Sequence, residues 1–348
     1  MNRRIEVGVL GATGMVGQQF IAQLQNHPWF HVVWLGASHR SEGRRYREAA
    51  PWKLSVPMPD AVADMSVDAA TPGRAPHLVF SGLDAAVAGD IEGAFAEAGH
   101  LVVSNARNYR MEATVPLLVP EVNSDHLGLL TAQGQARGWN GAIVTNPNCS
   151  TVFLAMALAP LRQFGLRTTI VTTLQAVSGA GYPGVPSMDI VGNVVPFIDG
   201  EEEKIETEAR KILGCLRPDH IEPHEVVISA QTTRVPVVNG HTEMISVGFE
   251  RQPPLEAILS ALTGFSGKPQ EYKLPSAPAR PIVALPENNR PQPRLDVDRD
   301  GGMTVCVGRL RPCPVLDYKF VALGHNTIRG AAGAAVLNAE LMVAEGLV

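Results

Sequence analysis

The chain has 348 residues, 45% of them hydrophobic and 18% charged, and its net charge is −5. This length predicts about two domains, and the composition is typical of a globular protein with a large core. The mild negative charge disfavours a protein dedicated to binding nucleic acid or a membrane surface, because both partners attract a broad basic field.

Four cysteines in a chain of this length do not make a disulfide framework, and no two of them have the CxxC spacing of a zinc site. The N-terminal apolar stretch is too short and too rich in glycine for a signal peptide. A membrane span needs about 18 uninterrupted apolar residues, and no later segment has so many. We therefore expect a cytoplasmic protein with no metal site.

Strand-like and helix-like segments alternate through the first half of the chain. A helical stripe of Val16, Phe20, Ile21 and Leu24 follows the first strand-like run. Apolar, largely β-branched strands separated by helices indicate a parallel sheet that is covered on both faces. The strand-like runs of this half are 5–11, 31–37, 77–83, 100–106 and 141–147.

From about residue 167 the strand-like runs become longer and few helices separate them, which predicts a mostly antiparallel sheet. The final segment, 326–348, returns to a small-residue helix that we expect to dock on the first domain. The proline-rich stretch 275–294 is predicted as an irregular extended loop. The fold class is therefore α/β, with a parallel-sheet domain over 1–147, completed by the last helix, and an α+β domain over 148–325.

A glycine-rich turn, GATGMVG, follows the first predicted strand and opens the first predicted helix. In such a turn, backbone N–H groups and a helix N-terminus can approach a pyrophosphate. A tight strand–helix turn without a ligand is the alternative, because the spacing is GxxGxxG rather than GxGxxG. The residues expected to contact a dinucleotide are Gly11, Thr13, Gly14, Met15 and Val16.

The end of the second predicted strand indicates which dinucleotide binds. NAD enzymes usually carry an acidic residue there for the ribose 2′-OH, whereas this chain has Ser38, Arg40 and Ser41. Hydroxyls and a guanidinium suit a 2′-phosphate, so we expect NADP. The alternative is a solvated charged loop, since Glu42 and Glu48 are close in sequence.

Cys149 lies between a polar run, TNPN, and an apolar helix-like run, so it is expected at a helix N-terminus that favours its thiolate. Most free cysteines are buried small hydrophobes, and this is the only interpretation for Cys215, Cys306 and Cys313. A thiolate beside a nicotinamide predicts attack on a carbonyl, hydride transfer and a thioester that phosphate or CoA can take. His241, placed in a turn after a strand-like run, is a candidate acid or base, although a structural turn histidine has the same pattern.

Eight motifs in this order make the chain resemble the aspartate-β-semialdehyde dehydrogenase family over almost its whole length. SGAGYPGVPSMDI and IDGEEEKIETEARKIL are closest to the archaeal and fungal branch. The resemblance implies a Rossmann-type NADP-binding domain, a catalytic and dimerisation domain, and a homodimer or homotetramer. The motifs are GATGMVG, ASHRS, SNARNYRM, VPLLVPEVN, TNPNCST, LQAVSGAGYPG, GEEEK and RVPVVNGH.

The resemblance also implies roles for single residues. Cys149 is the acyl-thioester nucleophile, His241 the acid/base and Gln175 an orienting residue. The substrate-binding residues are Arg234 for a carboxylate, Arg110 and Lys204 for phosphate, and Glu201 for an amine. The remaining cofactor contacts are Ser178, Gly179 and Asn326. Asn148 either assists positioning or is a turn residue, and GEEEK is equally consistent with an ordinary acidic first helical turn.

The implied reaction is NADPH-dependent reduction of aspartyl-4-phosphate to aspartate-4-semialdehyde with release of phosphate, in the synthesis of lysine, threonine and methionine. One alternative is a reductase of malonyl-CoA, for which Arg110 and Lys204 are less necessary. A catalytically inactive nucleotide-sensing or scaffold homologue is another alternative. Joint retention of four residues argues against it: Cys149, Gln175, Arg234 and His241.

Overall fold

The computed structural model describes residues 4–348, so residues 1–3 of the predicted first domain lie outside it. Its first sheet has six parallel strands in the order β3-β2-β1-β4-β5-β6. The strand order reverses between β1 and β4, and open parallel sheets bind ligands at the carboxyl edge of such a reversal. The strands are β1 (Ile5–Leu10), β2 (Phe30–Ala37), β3 (Asp68–Ala69), β4 (Leu78–Ser81), β5 (Leu101–Ser104) and β6 (Ala142–Thr145).

The second sheet has the order β10-β7-β11-β14-β13-β12. Its three inner pairings are antiparallel and its two outer pairings are parallel, which confirms the mostly antiparallel prediction. A two-stranded ladder of β8 with β9 lies apart from it. The strands are β7 (Leu166–Gln175), β8 (Cys215–Leu216), β9 (Ile221–Glu222), β10 (Val227–Arg234), β11 (His241–Phe249), β12 (Ile282–Leu285), β13 (Val305–Pro312) and β14 (Tyr318–Gly324).

Helix α7 lies between the two sheets in sequence, packs on β13 and β14 and contacts α9. The longest α-helix among residues 4–348 has 13 residues, and no helix in this range is long and apolar enough to cross a membrane. The α-helices are α1 (Met15–Leu24), α2 (Tyr46–Ala49), α3 (Asp60–Ala63), α4 (Ala85–Glu97), α5 (Pro120–Asn123), α6 (Leu129–Arg137), α7 (Cys149–Leu158), α8 (Ser187–Ile190), α9 (Glu201–Ile212), α10 (Leu255–Thr263), α11 (Lys268–Glu271), α12 (Pro293–Asp296) and α13 (Gly333–Ala344).

The prediction of an irregular loop over 275–294 is wrong in two places. A short apolar run inside it forms β12, because Ile282 pairs with Val305 at the edge of the second sheet. Helix α12 begins at Pro293, where the missing N–H costs nothing since a first helical residue has no intrahelical acceptor. A proline at the first position of a helix, or next to a strand, therefore does not prevent that helix or strand from forming.

The C-terminal helix packs against the core of the first sheet. Residues 333–342 of α13 are all buried, and apolar residues among them, such as Val336 and Leu341, share a core cluster with Val7 and Phe20. A buried polar contact fixes the same interface: His27 Nε2 lies 2.7 Å from Glu340 Oε1. The other ring nitrogen of His27 accepts from the N–H groups of Trp29 and Phe30, so the ring is bonded on both sides.

A buried ion pair joins α5 to the π-helical turn that precedes α13. The Arg329 guanidinium donates to both carboxylate oxygens of Glu121, at 2.9 and 2.5 Å, and both side chains are fully buried. Burying either charge alone costs several kcal/mol, so the two residues stabilise the fold only as a pair. This pair connects the segment after β5 with the last part of the chain.

We expect Arg329→Met to lower the free energy of unfolding by about 3–5 kcal/mol, because it leaves the Glu121 carboxylate buried without its partner. Adding Glu121→Gln should recover part of that loss, as measured by urea unfolding. The control is Arg137→Met, which breaks an exposed pair with Glu112 and should cost less than about 1 kcal/mol. Purely additive losses in the double variant would contradict the pairing.

Candidate active site

Cys149 is the first residue of α7, at the point where the chain leaves the first sheet after β6. Asn148 precedes it as the N-cap, and its Oδ1 accepts from the N–H groups of Ser150 and Thr151 at 3.0 and 3.3 Å. The cap accepts from these two amides and not from the N–H of Cys149, which lies at the very start of the helix. The sequence predicted this position for the cysteine.

His241 lies beside the thiol, with its Nε2 3.2 Å from Cys149 Sγ. It is the first residue of β11 rather than part of the preceding turn, and it is fully buried. The N–H of Ala176 donates to its Nδ1 at 3.0 Å. Because Nδ1 accepts, the neutral ring carries its proton on Nε2, which therefore faces the sulfur as a donor.

The electrostatics of this pair differ from the sequence expectation of a thiolate. Desolvation raises the pKa of Cys149 to about 12, and the Glu201 carboxylate adds to the increase, while Arg234 and Arg110 oppose it. Burial lowers the pKa of His241 to about 3, with Arg234 and His325 acting in the same direction. At pH 7 the resting pair is therefore a neutral thiol and a neutral imidazole, because desolvation outweighs the helix N-terminus.

Gln175 and Arg234 end two neighbouring strands and lie opposite each other in the parallel β7–β10 pairing. Arg234 is buried and its Nη1 donates to the carbonyl of Ala176 at 2.8 Å. Gly179 lies against both functional side chains: a Cβ there would be 2.9 Å from Arg234 Nη1 and 3.0 Å from His241 Cε1. A side chain at position 179 would therefore have to displace Arg234 or His241.

One face of α9 borders the cysteine with alternating acidic and basic side chains. Glu201 Oε1 accepts from Asn148 Nδ2 at 2.6 Å and from Gln175 Nε2 at 3.3 Å, and Glu201 Oε2 pairs with Lys204 at 3.1 Å. The i,i+3 ion pair expected of an ordinary helical turn is therefore present, and the same carboxylate also contacts the cysteine's N-cap. These contacts fit an ordinary acidic helical turn, and they also place the Glu201 carboxylate beside the start of α7, where a substrate-binding residue is expected.

Arg110 reaches this region from the loop after β5. Its Nη1 donates to Glu208 Oε1 at 3.0 Å and its Nη2 to the carbonyl of Asn105 at 2.8 Å. Lys211, one turn beyond Glu208, donates to the carbonyls of Arg110, Glu112 and Val115. Burial lowers the pKa of Lys211 to about 8. Sequence reasoning missed Glu208 and Lys211, although the spacing 201, 204, 208, 211 places all four charges on one helix face.

The glycine-rich turn lies at the carboxyl end of β1. Gly11 has a φ of 71°, a conformation that favours glycine, and Gly14 is the N-cap of α1 without any side-chain cap. The first-turn amides of α1 are thus left for a ligand, which fits a pyrophosphate. Thr13, Met15 and Val16 are partly exposed in the same turn.

After β2, Ser38 and Arg40 are exposed and Ser41 is buried. Within residues 4–348 no hydrogen bond or ion pair involves the Arg40 side chain, whereas Arg44 donates to the carbonyl of Glu48 and Arg45 pairs with Asp64. Of these arginines, Arg40 is therefore the one available to a ligand phosphate.

Asn326 connects the other expected cofactor residues to the cysteine site. Its Nδ2 donates to Ser178 Oγ at 2.8 Å, and its Oδ1 accepts from the N–H of Gly240, next to His241, at 2.8 Å. The structure thus places Ser178, Gly179 and Asn326 together beside the Cys149–His241 pair. In the described range, no group of three or more His, Cys, Asp or Glu side chains could hold a metal ion.

Two family models match the chain. Residues 6–130 match the semialdehyde dehydrogenase NAD-binding domain, and residues 158–329 match the semialdehyde dehydrogenase dimerisation domain. The aspartate-semialdehyde dehydrogenase of Archaeoglobus fulgidus is 49% identical over 99% of this chain and 100% of its own length. That of Cryptococcus neoformans is 50% identical over 99% of this chain and 98% of its own length.

Solved structures of aspartate-semialdehyde dehydrogenases are also similar to this chain. The aspartate-semialdehyde dehydrogenase of Candida albicans, determined with NADP, has a TM-score of 0.92 and 44% identity, covering 99% of this chain and 100% of that chain. Aspartate-semialdehyde dehydrogenase II of Vibrio cholerae, complexed with ASA, has a TM-score of 0.77 and 25% identity, covering 99% of each chain.

Proposed function

We propose that this chain, which belongs to the aspartate-semialdehyde dehydrogenase family, reduces aspartyl-4-phosphate to aspartate-4-semialdehyde with NADPH and releases phosphate. The observation that carries the proposal is the 3.2 Å contact between Cys149 Sγ and His241 Nε2. The charges of Arg234 and Arg110 both lower the pKa of the same thiol, and two guanidinium groups suit a substrate that is anionic at both ends. Such a site suits acyl transfer from a phosphate to sulfur.

In the first step, Cys149 Sγ attacks the acyl carbon and the bond from that carbon to the phosphate oxygen breaks. The thiol proton leaves with the phosphate, so the products are a neutral thioester on Cys149 and hydrogen phosphate. Arg234 holds the substrate carboxylate, Glu201 the amine, and Arg110 and Lys204 the departing phosphate. Gln175, hydrogen-bonded to Glu201, orients the substrate.

In the second step the thioester is reduced and its C–S bond breaks. NADPH, when bound, supplies the hydride. His241 donates from Nε2 to the sulfur as negative charge returns to it, and proton exchange takes place at that nitrogen because Ala176 N–H occupies Nδ1. The N–H of Cys149 is the oxyanion donor, since the Asn148 cap engages the next two amides. Uptake of one proton then restores the thiol.

For the cofactor, we assign the pyrophosphate to the turn formed by Gly11, Thr13, Gly14, Met15 and Val16 and the start of α1. Ser38, Arg40 and Ser41 hold the 2′-phosphate, and Ser178, Gly179 and Asn326 lie at the nicotinamide. We propose that residues 1–147 with 326–348 form the NADP-binding domain and residues 148–325 the catalytic domain. Ser178 and Gly179 then reach the cofactor from the catalytic domain, and Arg110 reaches the substrate phosphate from the NADP-binding domain. The cysteines are free thiols, which fits a reducing compartment, the cytoplasm.

The reaction is tested by NADP reduction with aspartate semialdehyde and either phosphate or CoA. We expect turnover with phosphate and little with CoA; the reverse result would assign a CoA thioester instead. Cys149→Ser should abolish turnover, because an alcohol is a poor nucleophile without a strong base. Cys306→Ser, at an equally free but buried cysteine on β13, is the control and should retain most of the activity.

Cofactor choice is tested at Arg40. Removing a guanidinium–phosphate contact typically costs about 1.5–3 kcal/mol, so Arg40→Ala should raise the KM for NADP about ten- to a hundredfold. The KM for NAD should stay unchanged, because NAD has no 2′-phosphate. Arg44→Ala is the matched control, since Arg44 is bonded to Glu48. An equal change for both cofactors would remove Arg40 from the phosphate site.

The oligomer is proposed to be a homodimer formed through the open face of the second sheet. Directly opposed residues of this sheet point to the same side, and the side away from the core carries apolar side chains. A face of this kind on a domain that matches a dimerisation model fits a second copy of the chain. The exposed apolar residues are Ile170, Val227 and Met244, with exposed fractions of 47%, 65% and 44%.

Sedimentation velocity tests this interface. The unchanged chain should sediment with twice the mass of one chain, and Ile170→Asp should shift it towards a single chain because a carboxylate would be buried in the interface. Val56→Asp, at an equally exposed apolar residue before α3, should keep the double mass. A dimer that survives Ile170→Asp would place the interface elsewhere.

A further inference from the structure

We propose that Glu208 is a positioning residue for the transferring phosphate: its carboxylate sets the orientation of Arg110 and, at the same time, the backbone of the residue before the nucleophile. The inference rests on the proposed role of Arg110 as a phosphate ligand. Glu208 itself touches neither substrate nor cofactor in this assignment, and it acts through its two partners.

The geometry joins three distant parts of the chain through one carboxylate. Glu208 Oε1 accepts from Arg110 Nη1 at 3.0 Å, and its Oε2 accepts from the N–H of Asn148 at 2.6 Å. The side chain of Glu208 is only 3% exposed. The phosphate-binding arginine and the start of the nucleophile's helix are therefore fixed relative to each other by a single buried group.

Both partners of Glu208 are donors, so this position requires a side chain with two acceptor oxygens. A glutamine has one acceptor oxygen and one donor NH₂, so it can accept from Arg110 or from Asn148 and must oppose the other with a second donor. An aspartate keeps both acceptors but is one methylene shorter. Only a glutamate on this turn of α9 satisfies both contacts with the backbone in its present place.

The Arg110 guanidinium is held in a way that leaves part of it for an anion. Nη1 is bonded to Glu208 and Nη2 to the Asn105 carbonyl. The side chain of Arg110 is only 10% exposed, and its buried Nε–H has no acceptor among the described residues. A buried donor without an acceptor is costly, and a phosphate oxygen would supply the missing acceptor.

Lys211 supports the same loop from the same helix. Its ammonium group donates to three carbonyls between residues 110 and 115, so the backbone of the Arg110 loop is fixed independently of the Glu208 carboxylate. Loss of Glu208 therefore frees the guanidinium without releasing its loop, and the expected defect is one of phosphate binding rather than of folding.

The experiment measures steady-state kinetics in the oxidative direction, with phosphate and semialdehyde varied separately at saturating NADP. We expect Glu208→Gln to raise the KM for phosphate at least about tenfold, the change produced by losing one charge-assisted hydrogen bond. The KM for semialdehyde, whose carboxylate is assigned to Arg234, should change less than about threefold. Equal changes in both values would indicate general damage and overturn the inference.

Glu206→Gln is the matched control on the same helix, because Glu206 accepts from one donor, the N–H of Ala230, and a glutamine can do the same. It should leave both KM values unchanged. If Glu208→Gln fails to fold, Glu208→Asp replaces it: the charge stays and the contacts lengthen, and the KM for phosphate should still rise with the melting temperature preserved. An unchanged KM for phosphate in a folded Glu208→Asp would then overturn the inference.

Arg110→Gln separates failure of this inference from failure of the proposed function. If Arg110→Gln leaves the KM for phosphate unchanged, Arg110 is not a phosphate ligand and the premise fails. If Arg110→Gln raises it but Glu208→Gln does not, the premise stands and the positioning role is wrong. In the double variant, Glu208→Gln should add nothing to the increase in the KM for phosphate caused by Arg110→Gln, since that increase runs through the Arg110 side chain; multiplying effects on this KM would contradict the route through Arg110.

Discussion

The geometry around Cys149 depends on how Asn148 is bonded. Its N–H donates to Glu208, its Nδ2 donates to Glu201, and its Oδ1 accepts from the second and third amides of α7. Each of these groups is buried, so moving the residue would leave several polar atoms without partners at once. The direction in which α7 starts, and with it the position of Cys149, is thus set by helix α9 as well as by α7 itself.

The high pKa of Cys149 bears on its proposed role as a nucleophile. The site gains little from a permanently ionised sulfur, because desolvation disfavours the charge. In the proposed mechanism, the charge that develops is stabilised instead by two fixed donors, His241 Nε2 beside the sulfur and the N–H of Cys149. Preorganised donors in a dry site stabilise a transient anion without the cost of reorganisation.

The sequence was sufficient for features that follow from local pattern. The alternation of apolar runs predicted the parallel sheet, and the small-residue run at the end predicted the docked α13. The polar TNPN before an apolar run located the start of α7. In contrast, β12 was missed because proline content was given more weight than the four apolar residues 282–285, and the pKa of Cys149 was misjudged because sequence carries no measure of desolvation.

The features that could not be predicted depend on partners far apart in the chain. Glu208 meets Arg110 across 98 positions, and Arg329 meets Glu121 across 208. A charged helix face such as that of α9 has the same pattern whether it meets solvent or a buried loop. The motifs of the family indicated Gln175, Arg234 and His241, but the structure was needed to show that the ends of β7, β10 and β11 bring them together.

The docking of α13 on the first sheet has a consequence for how the chain folds during its synthesis. The cluster around Val7 and Phe20 is shared with residues 332–342, and His27 has its carboxylate partner at Glu340. Synthesis must therefore reach residue 342 before the core of the N-terminal sheet is complete. The second sheet, whose strands all lie between residues 166 and 324, has every strand available earlier. N-terminal domains usually fold first during synthesis, whereas here the N-terminal domain cannot be completed first. Its nascent sheet must remain partly uncovered until α13 emerges.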